Sequence, residues 1–416
     1  MDLLAGRRER PVPAVGQVGH YLIHRRDEER GPEDEEADRA RDQAGADVLA
    51  GEPPVHGGRS TRSRPGRVAF RACSRGGETA VVQDAAEPAV VGVDVGGTKI
   101  AAARVAGASA RDLTQRATDI SGPEAVLDGI EAAVREVVDA TGPVEAVGIG
   151  LPSQVEFATG TVVASVNIPL AGVPLRDELG TRLGTPVYID NDANCAALAE
   201  AGLVDEPPAR HLVMLTLGTG VGGGIVIDGR IFRGSSGLGA ELGHVVLDAN
   251  GPACPGACPN RGCLEAYCSG TALERDATEL AQDRPESWLG QVAADHGGRV
   301  TGRDVVNAAT EGDEDARDLL ERLGTWLGVG IADFVNTFEP EHLVIGGGLS
   351  AAHELFLHTA EHEARSRALP ALFERVRISL ARAGNDAGVI GAGLLAAQEL
   401  GLSGDTSRPT AREEVG

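Results

Sequence analysis

The chain is short of aromatic side chains, with twelve in 416 residues, and it has a single lysine, Lys99, beside 37 arginines. It also lacks any apolar run of the roughly 20 residues that a bilayer-spanning helix requires. Each shortage excludes something. Few aromatics leave little surface on which unpaired bases could stack, and a formal net charge of -24 repels a phosphate backbone, so no nucleic acid is expected as the main partner. No membrane association is expected either. The opening MDLLAGRRERPVP lacks the apolar block of a signal peptide, so the expected location is cytoplasmic. Glycine is abundant, at 57 residues, and 42% of the chain is hydrophobic, enough for a sizeable core in two or three domains.

Residues 1–88 carry dense mixed charge, as in RRDEERGPEDEEADRARD, with proline and glycine interruptions and no sustained apolar period. They are expected to form a disordered extension. A DNA-binding helix-turn-helix there would need about three amphipathic helices, and only scraps such as 18–23 are apolar. From Ala89 onward strand-like apolar runs alternate with helical segments, the signature of an α/β protein. Strands are predicted at 90–95, 100–105, 146–149, 187–189, 212–217, 225–227 and 343–345, and helices at 123–140, 193–201, 271–282, 302–310, 313–338, after the glycines 346–348, and at 389–400. This divides the chain into a first lobe, 89–200, a second lobe, 201–387, a helix at 388–400 returning to the first lobe, and a flexible tail, 401–416.

VVGVDVGGTKIAAARV (90–105) and LVMLTLGTGVGGGIVI (212–227) share one plan: apolar strand, polar residue, glycine turn, apolar strand. Glycine turns let backbone N–H groups approach phosphate oxygens, and a neighbouring hydroxyl and ammonium add charge-assisted contacts. Asp94, Gly96, Gly97, Thr98 and Lys99 suit that task, and so do Gly218, Thr219 and Gly220. The second tract matches G-x-G-x-x-G, but a strand follows it where a dinucleotide site requires a helix, and no G-x-x-x-x-G-K-[ST] occurs. What remains is a phosphate clamp made of two opposed hairpins, as in actin-like ATPases and sugar kinases.

Between the hairpins, YIDNDANCAALAE (188–200) crowds Asp190, Asn191, Asp192 and Asn194 at a strand end. Phosphoryl transfer to an alcohol needs positioning, charge neutralisation and one carboxylate to take the hydroxyl proton; Asp192 is the candidate base, with helix capping the structural alternative. Further on, His244, Cys254, Cys258 and Cys263 form an H-x9-C-x3-C-x4-C arrangement. Three thiolates and an imidazole complete a closed tetrahedral Zn²⁺ shell, so a structural zinc is expected in a loop spanning 244–263. Cys268 is a spare thiol, and Cys73 and Cys195 are expected to be unligated.

Together these residues resemble the ROK family of repressors, uncharacterised reading frames and sugar kinases, and within it the bacterial glucokinases. The resemblance rests on D-x-G-G-T-K at 94–99, N-D-A-N at 191–194, G-T-G-x-G-G-G at 218–224, E-x-G-H at 241–244, the cysteines ending in G-C-L-E at 262–265, and G-G-G at 346–348. It implies a two-lobed, actin-like (ribonuclease H-like) α/β fold in which ATP and a sugar meet. Asp94 would help organise the Mg²⁺-phosphate region; Thr98 and Lys99, with Gly218, Thr219 and Gly220, would border the phosphates; Gly346 and Gly347 would lie near the adenosine. Asn191 and Asp192 match the sugar-contacting pair whose Asp is the base. Glu241, His244 and Glu265 match further hydroxyl ligands, and Asn167 another. The implied activity is phosphorylation of the glucose 6-hydroxyl, by a homo-oligomer (dimer or tetramer). An N-acetylhexosamine, mannose or fructose substrate, polyphosphate as donor, and a sugar-responsive repressor are the alternatives. Two departures stand out: many members read C-x-C where this chain has C-x3-C, and Ser153 and Glu156 occupy a stretch where P-G-x-x-D is common.

Overall fold

A computed structural model of the chain describes residues 88–204, 208–256 and 258–404. The expected extension up to residue 87, Cys73 and the expected tail from 405 on lie outside the described residues, whereas 401–404, expected to open that tail, continue the last helix.

The first sheet runs β3-β2-β1-β4-β7. Strands β1 (Val90–Val95), β2 (Lys99–Ala106) and β3 (Ser109–Ala117) form an antiparallel meander, and β4 (Ala146–Leu151) and β7 (Val187–Asn191) add in parallel. VVGVDV and AVGIGL are apolar without alternation because β1 and β4 are covered on both faces. One cover is α1 (Pro123–Thr141), whose stripe Val126, Leu127, Ile130, Ala133, Val134 and Val137 recurs at helical spacing. The hairpin of β5 (Ser153–Glu156) and β6 (Thr161–Ser165) and the helix α2 (Leu175–Leu183) lie between β4 and β7 in the chain. Then α3 (Asp192–Leu203) leaves the first lobe.

The second sheet repeats the plan in the order β10-β9-β8-β11-β12. Here β8 (Leu212–Leu217), β9 (Val221–Ile227) and β10 (Arg230–Ile231) are the meander, and β11 (His342–Gly346) and β12 (Arg377–Leu380) are the parallel pair. Between β10 and β11 come a short 3-10 turn, Leu242–His244, and helices α4 (Glu265–Cys268), α5 (Gly270–Asp283), α6 (Trp288–Asp295), α7 (Gly302–Glu311) and α8 (Glu314–Phe338). After β11 follow α9 (Leu357–Arg367) and α10 (Pro370–Phe373), and after β12 comes α11 (Ala387–Gly404). Strands β3, β5, β6, β10 and β12 and helices α2, α4, α6 and α10 are not anticipated by the apolar pattern.

Backbone meets backbone where α11 lies on the first sheet. A Cβ on Gly92 would fall 1.9 Å from the Val389 carbonyl oxygen, and one on Gly148 would fall 1.7 Å from that of Ala392. Helix α3 does the same on the second sheet, where a Cβ on Gly224 would sit 2.7 Å from the Ala193 carbonyl oxygen. Only glycine permits either approach. Helix α3 is further tied to the segment entering α11 by Glu200: its wholly buried carboxylate accepts from the Arg382 N–H at 2.8 and 3.0 Å and from the Ala383 N–H at 2.8 Å.

Candidate active site and metal centre

A cavity of about 480 Å³ takes its walls from both sheets' loops. The first lobe contributes Ser153, Gln154, Asn191, Asp192 and Asn194; the second contributes Thr216, the β8–β9 turn, the loop 237–241, His244 and Glu265. Of the sequence-predicted residues, Asn191, Asp192, Gly218, Gly220, Glu241, His244, Glu265 and Gly347 line it. Asp94, Gly96, Gly97, Thr98, Lys99, Asn167, Thr219 and Gly346 do not line its wall. Asn167 nonetheless touches the first turn, since a Cβ on Gly97 would lie 3.3 Å from its carbonyl oxygen.

The first turn is closed by the Gly96 N–H donating to the Lys99 carbonyl oxygen at 2.8 Å, with the Thr118 hydroxyl donating to the Gly96 carbonyl oxygen at 2.6 Å. In the second turn the Gly218 N–H donates to the Gly220 carbonyl oxygen at 2.9 Å. That turn is strapped to the start of α5, where the Gly270 N–H donates to the Gly218 carbonyl oxygen at 2.7 Å and the Thr271 hydroxyl to that of Thr219 at 2.8 Å. It is also tied to Glu265, whose Oε2 accepts from the Val221 N–H at 2.8 Å.

Asn191 caps α3: its Oδ1 accepts from the Ala193 N–H at 2.9 Å and from that of Asn194 at 3.3 Å. The cap leaves Asp192 as the first helical residue, facing the cavity. Burial raises the Asp192 carboxyl above the usual range, opposed by the Ala193 N–H, and makes the ionised form a stronger proton acceptor. Burial, with the charge of Asp192 as a second cause and Lys99 opposing, lifts Asp94 to about 6. Two desolvated carboxylates in each other's field favour a cation beside them.

Asp190, indistinguishable from Asp192 by type, is engaged elsewhere. Its Oδ1 accepts from the Asn191 N–H and from Asn194 Nδ2, both at 2.8 Å, and its Oδ2 pairs with Arg233. Because the Asp190 carboxylate only accepts, Asn194 must turn its amide nitrogen toward it, leaving Asn194 Oδ1 buried without a partner. With Asp192, Glu241 and Glu265 this makes the cavity wall rich in acceptors, a match for a polyhydroxyl donor. Sequence reasoning assigned no role to Asn194, although it closes the N-D-A-N motif, nor to Gln154 or the small-residue run Gly237–Ala240. Ser153 lines the cavity and bonds to the Ser165 hydroxyl at 2.8 Å, whereas Glu156 turns away to the Thr159 hydroxyl at 2.6 Å.

His244, Cys254, Cys258 and Cys263 place one donor atom each within 4.8 Å of one another. His244 Nδ1 is 3.5 Å from Cys254 Sγ, and Cys258 Sγ is 3.9 Å from Cys263 Sγ. A tetrahedral shell with metal–sulfur bonds of about 2.3 Å separates its sulfurs by about 3.8 Å, whereas a disulfide needs about 2.0 Å. The donor set therefore fits zinc. Cys268 stays outside the cluster, buried with its thiol 3.6 Å from the Leu323 carbonyl oxygen, and Cys195 is buried as well. Glu265 joins the two sites, since its Oε1 lies 3.8 Å from Cys254 Sγ while its other oxygen holds the second turn.

Comparison with known proteins agrees with this architecture. The chain is 34% identical to the glucokinase of Thermotoga maritima over 75% of its own length and 98% of that protein's. It is 36% identical to the N-acetyl-D-glucosamine kinase of Salmonella choleraesuis over 73% of its length and 98% of that protein's, and 32% identical to the xylose repressor of Caldicellulosiruptor bescii over 64% and 66%. The solved ROK family glucokinase of Streptomyces griseus, in complex with glucose and AMPPNP, superposes with a TM-score of 0.61 at 35% identity, covering 74% of this chain and 99% of that one. The ROK family model itself matches residues 90–399. Two glycine hairpins, a shared cavity and a three-cysteine, one-histidine cluster thus sit on a two-lobed sugar kinase fold, and the chain belongs to the ROK family.

Proposed function

We propose that the protein is a glucokinase that transfers the γ-phosphoryl group of ATP to the glucose 6-hydroxyl. The observation that carries this reading is Asp192 at the start of α3, on the cavity wall and within the electrostatic reach of Asp94 beside the first glycine turn. The 6-hydroxyl oxygen attacks the γ-phosphorus, the bond from that phosphorus to the β–γ bridging oxygen breaks, ADP leaves, and Asp192 takes the hydroxyl proton. Asn191, Glu241, His244 and Glu265 hold the other hydroxyls, with Asn167 near the phosphate side. The backbone N–H groups of Gly97, Thr219 and Gly220, with Thr98 and Lys99, surround the triphosphate; Gly96 and Gly218 use their own N–H groups to close the two turns, and Gly346 and Gly347 approach the adenosine.

Asp94 is the residue that would hold Mg²⁺, which when bound neutralises phosphate charge. Zinc, held by His244, Cys254, Cys258 and Cys263, supplies no reacting group: it fixes the loop that carries Glu265. With Nδ1 of His244 turned to the cysteines, its Nε2 is left for a sugar hydroxyl.

Asp192→Asn should lose turnover on the order of 10²-fold or more while glucose binding, followed calorimetrically, persists. Near-normal turnover would refute the base assignment. A coupled assay across glucose, N-acetylglucosamine, mannose and fructose, with ATP and polyphosphate as donors, tests the substrate; a dominant rate on any other sugar overturns glucose as the acceptor.

A further inference from the structure

Arg233 follows β10 in the second lobe, yet its partners belong mostly to the first. Its Nε donates to Asp190 at 2.5 Å, its guanidinium carbon stands 3.7 Å over the Phe157 ring, and a terminal nitrogen lies 3.5 Å from Glu399 on α11. The pair is desolvated, with Arg233 and Asp190 side chains 13% and 3% exposed. The loop after Arg233 is seated just as closely: the Gly239 N–H donates to the Arg233 carbonyl oxygen at 3.0 Å, and a Cβ on Gly237 would fall 2.7 Å from the Phe157 nitrogen. The free oxygen of Asp190 then holds the Asn191 N–H and the Asn194 amide. Asn191 and Asn194 flank Asp192.

The geometry points to Arg233 as a positioning residue: from one lobe it clamps Asp190 of the other, and through it the capped first turn of α3 that presents Asp192. It touches neither reacting atom. The carboxylate is therefore aimed only when the two lobes stand in the right relation. A planar fork is suited to this, because it can bond edge-on to a carboxylate while lying flat on a ring, which an ammonium does less well.

The inference rests on the kinase reading for its catalytic consequence but not for its structural one, so two readouts separate them. The first uses no substrate. Amide exchange at Ala193 and Asn194, whose N–H groups the cap protects, should quicken about tenfold in Arg233→Met and less in Arg233→Lys, with zinc content retained. The second is kinetic. On the parent's best hexose, kcat should fall on the order of 10²-fold in Arg233→Met and by an intermediate factor in Arg233→Lys, as expected for a misplaced base, while sugar affinity stays within about threefold. Should Arg233→Met fail to fold, Arg233→Lys carries both measurements. Unchanged exchange at both amides in the folded variants overturns the inference, whatever the parent phosphorylates. So does a kcat within about threefold of the parent accompanied only by a lower melting temperature, which is what a purely structural ion pair would give.

Discussion

The turns at 95–99 and 217–221 are written almost alike and are built on the same strand pairing, but they are surrounded differently. Behind the first stands Asp94, desolvated and facing the charges of Asp192 and Lys99; the corresponding place behind the second is the neutral Thr216. The second turn instead touches the cavity and is held by Glu265 and the start of α5. A repeated backbone plan has thus been given two kinds of work: charge is concentrated at one turn, and close backbone approach at the other.

The largest effect should come from cutting the second turn's support at its source. Cys263→Ser should lose the metal and more than about 4 kcal/mol of stability in denaturant unfolding, and weaken sugar binding more than nucleotide binding. Equal weakening of both ligands would mean that the cysteine loop serves the whole cleft and not the second turn.

Next comes the charge at the first. A carboxyl raised to about 6 in the folded protein destabilises it once ionised, so the penalty is complete above that pH and fades as the pH falls toward the ordinary carboxylate value. Asp94→Asn should therefore stabilise the ligand-free protein by about 3 kcal/mol at pH 7.5 and by about half of that at pH 5, read from urea midpoints. Thr216→Val, at the equivalent place, should show no such pH dependence, and a matching one would erase the distinction.

The smallest effect compares the glycines directly. A Cβ on Gly220 would come within 2.5 Å of Glu265 Oε2, which must then release the Val221 N–H, whereas on Gly97 the nearest atom is 3.3 Å away. Gly220→Ala should raise the sugar KM about tenfold, roughly 1.4 kcal/mol, and Gly97→Ala less than threefold. Similar values for both would show that the second turn has room to yield.

Much of this was legible in the chain itself, for local reasons. Apolar runs marked β1, β4, β8 and β11, helical spacing marked α1 and α8, and a histidine with three nearby cysteines announced the candidate metal site. Strand β3 was not legible: SARDLTQRA has a single large apolar residue, Leu113, which is exposed, and the segment is a strand only because β2 offers it a paired edge. Asp190 and Asp192 could not be told apart by letters two positions apart. What separates them is Arg233, 43 residues further along, which becomes a neighbour only when the lobes are assembled. Asn194 was overlooked for the same reason, because its orphaned oxygen exists only once Asp190 has claimed the nitrogen.

The buried carboxylate of Glu200 has a consequence of its own. Two backbone N–H groups converge on it, that of Arg382 shared between both oxygens and that of Ala383 on one of them, so both ends accept. Glutamine, the nearest isostere, would point its own hydrogens at an N–H whichever way it rotated. The joint between the crossing helices is therefore keyed by hydrogen-bond polarity rather than by fit: a side chain of identical outline would jam it.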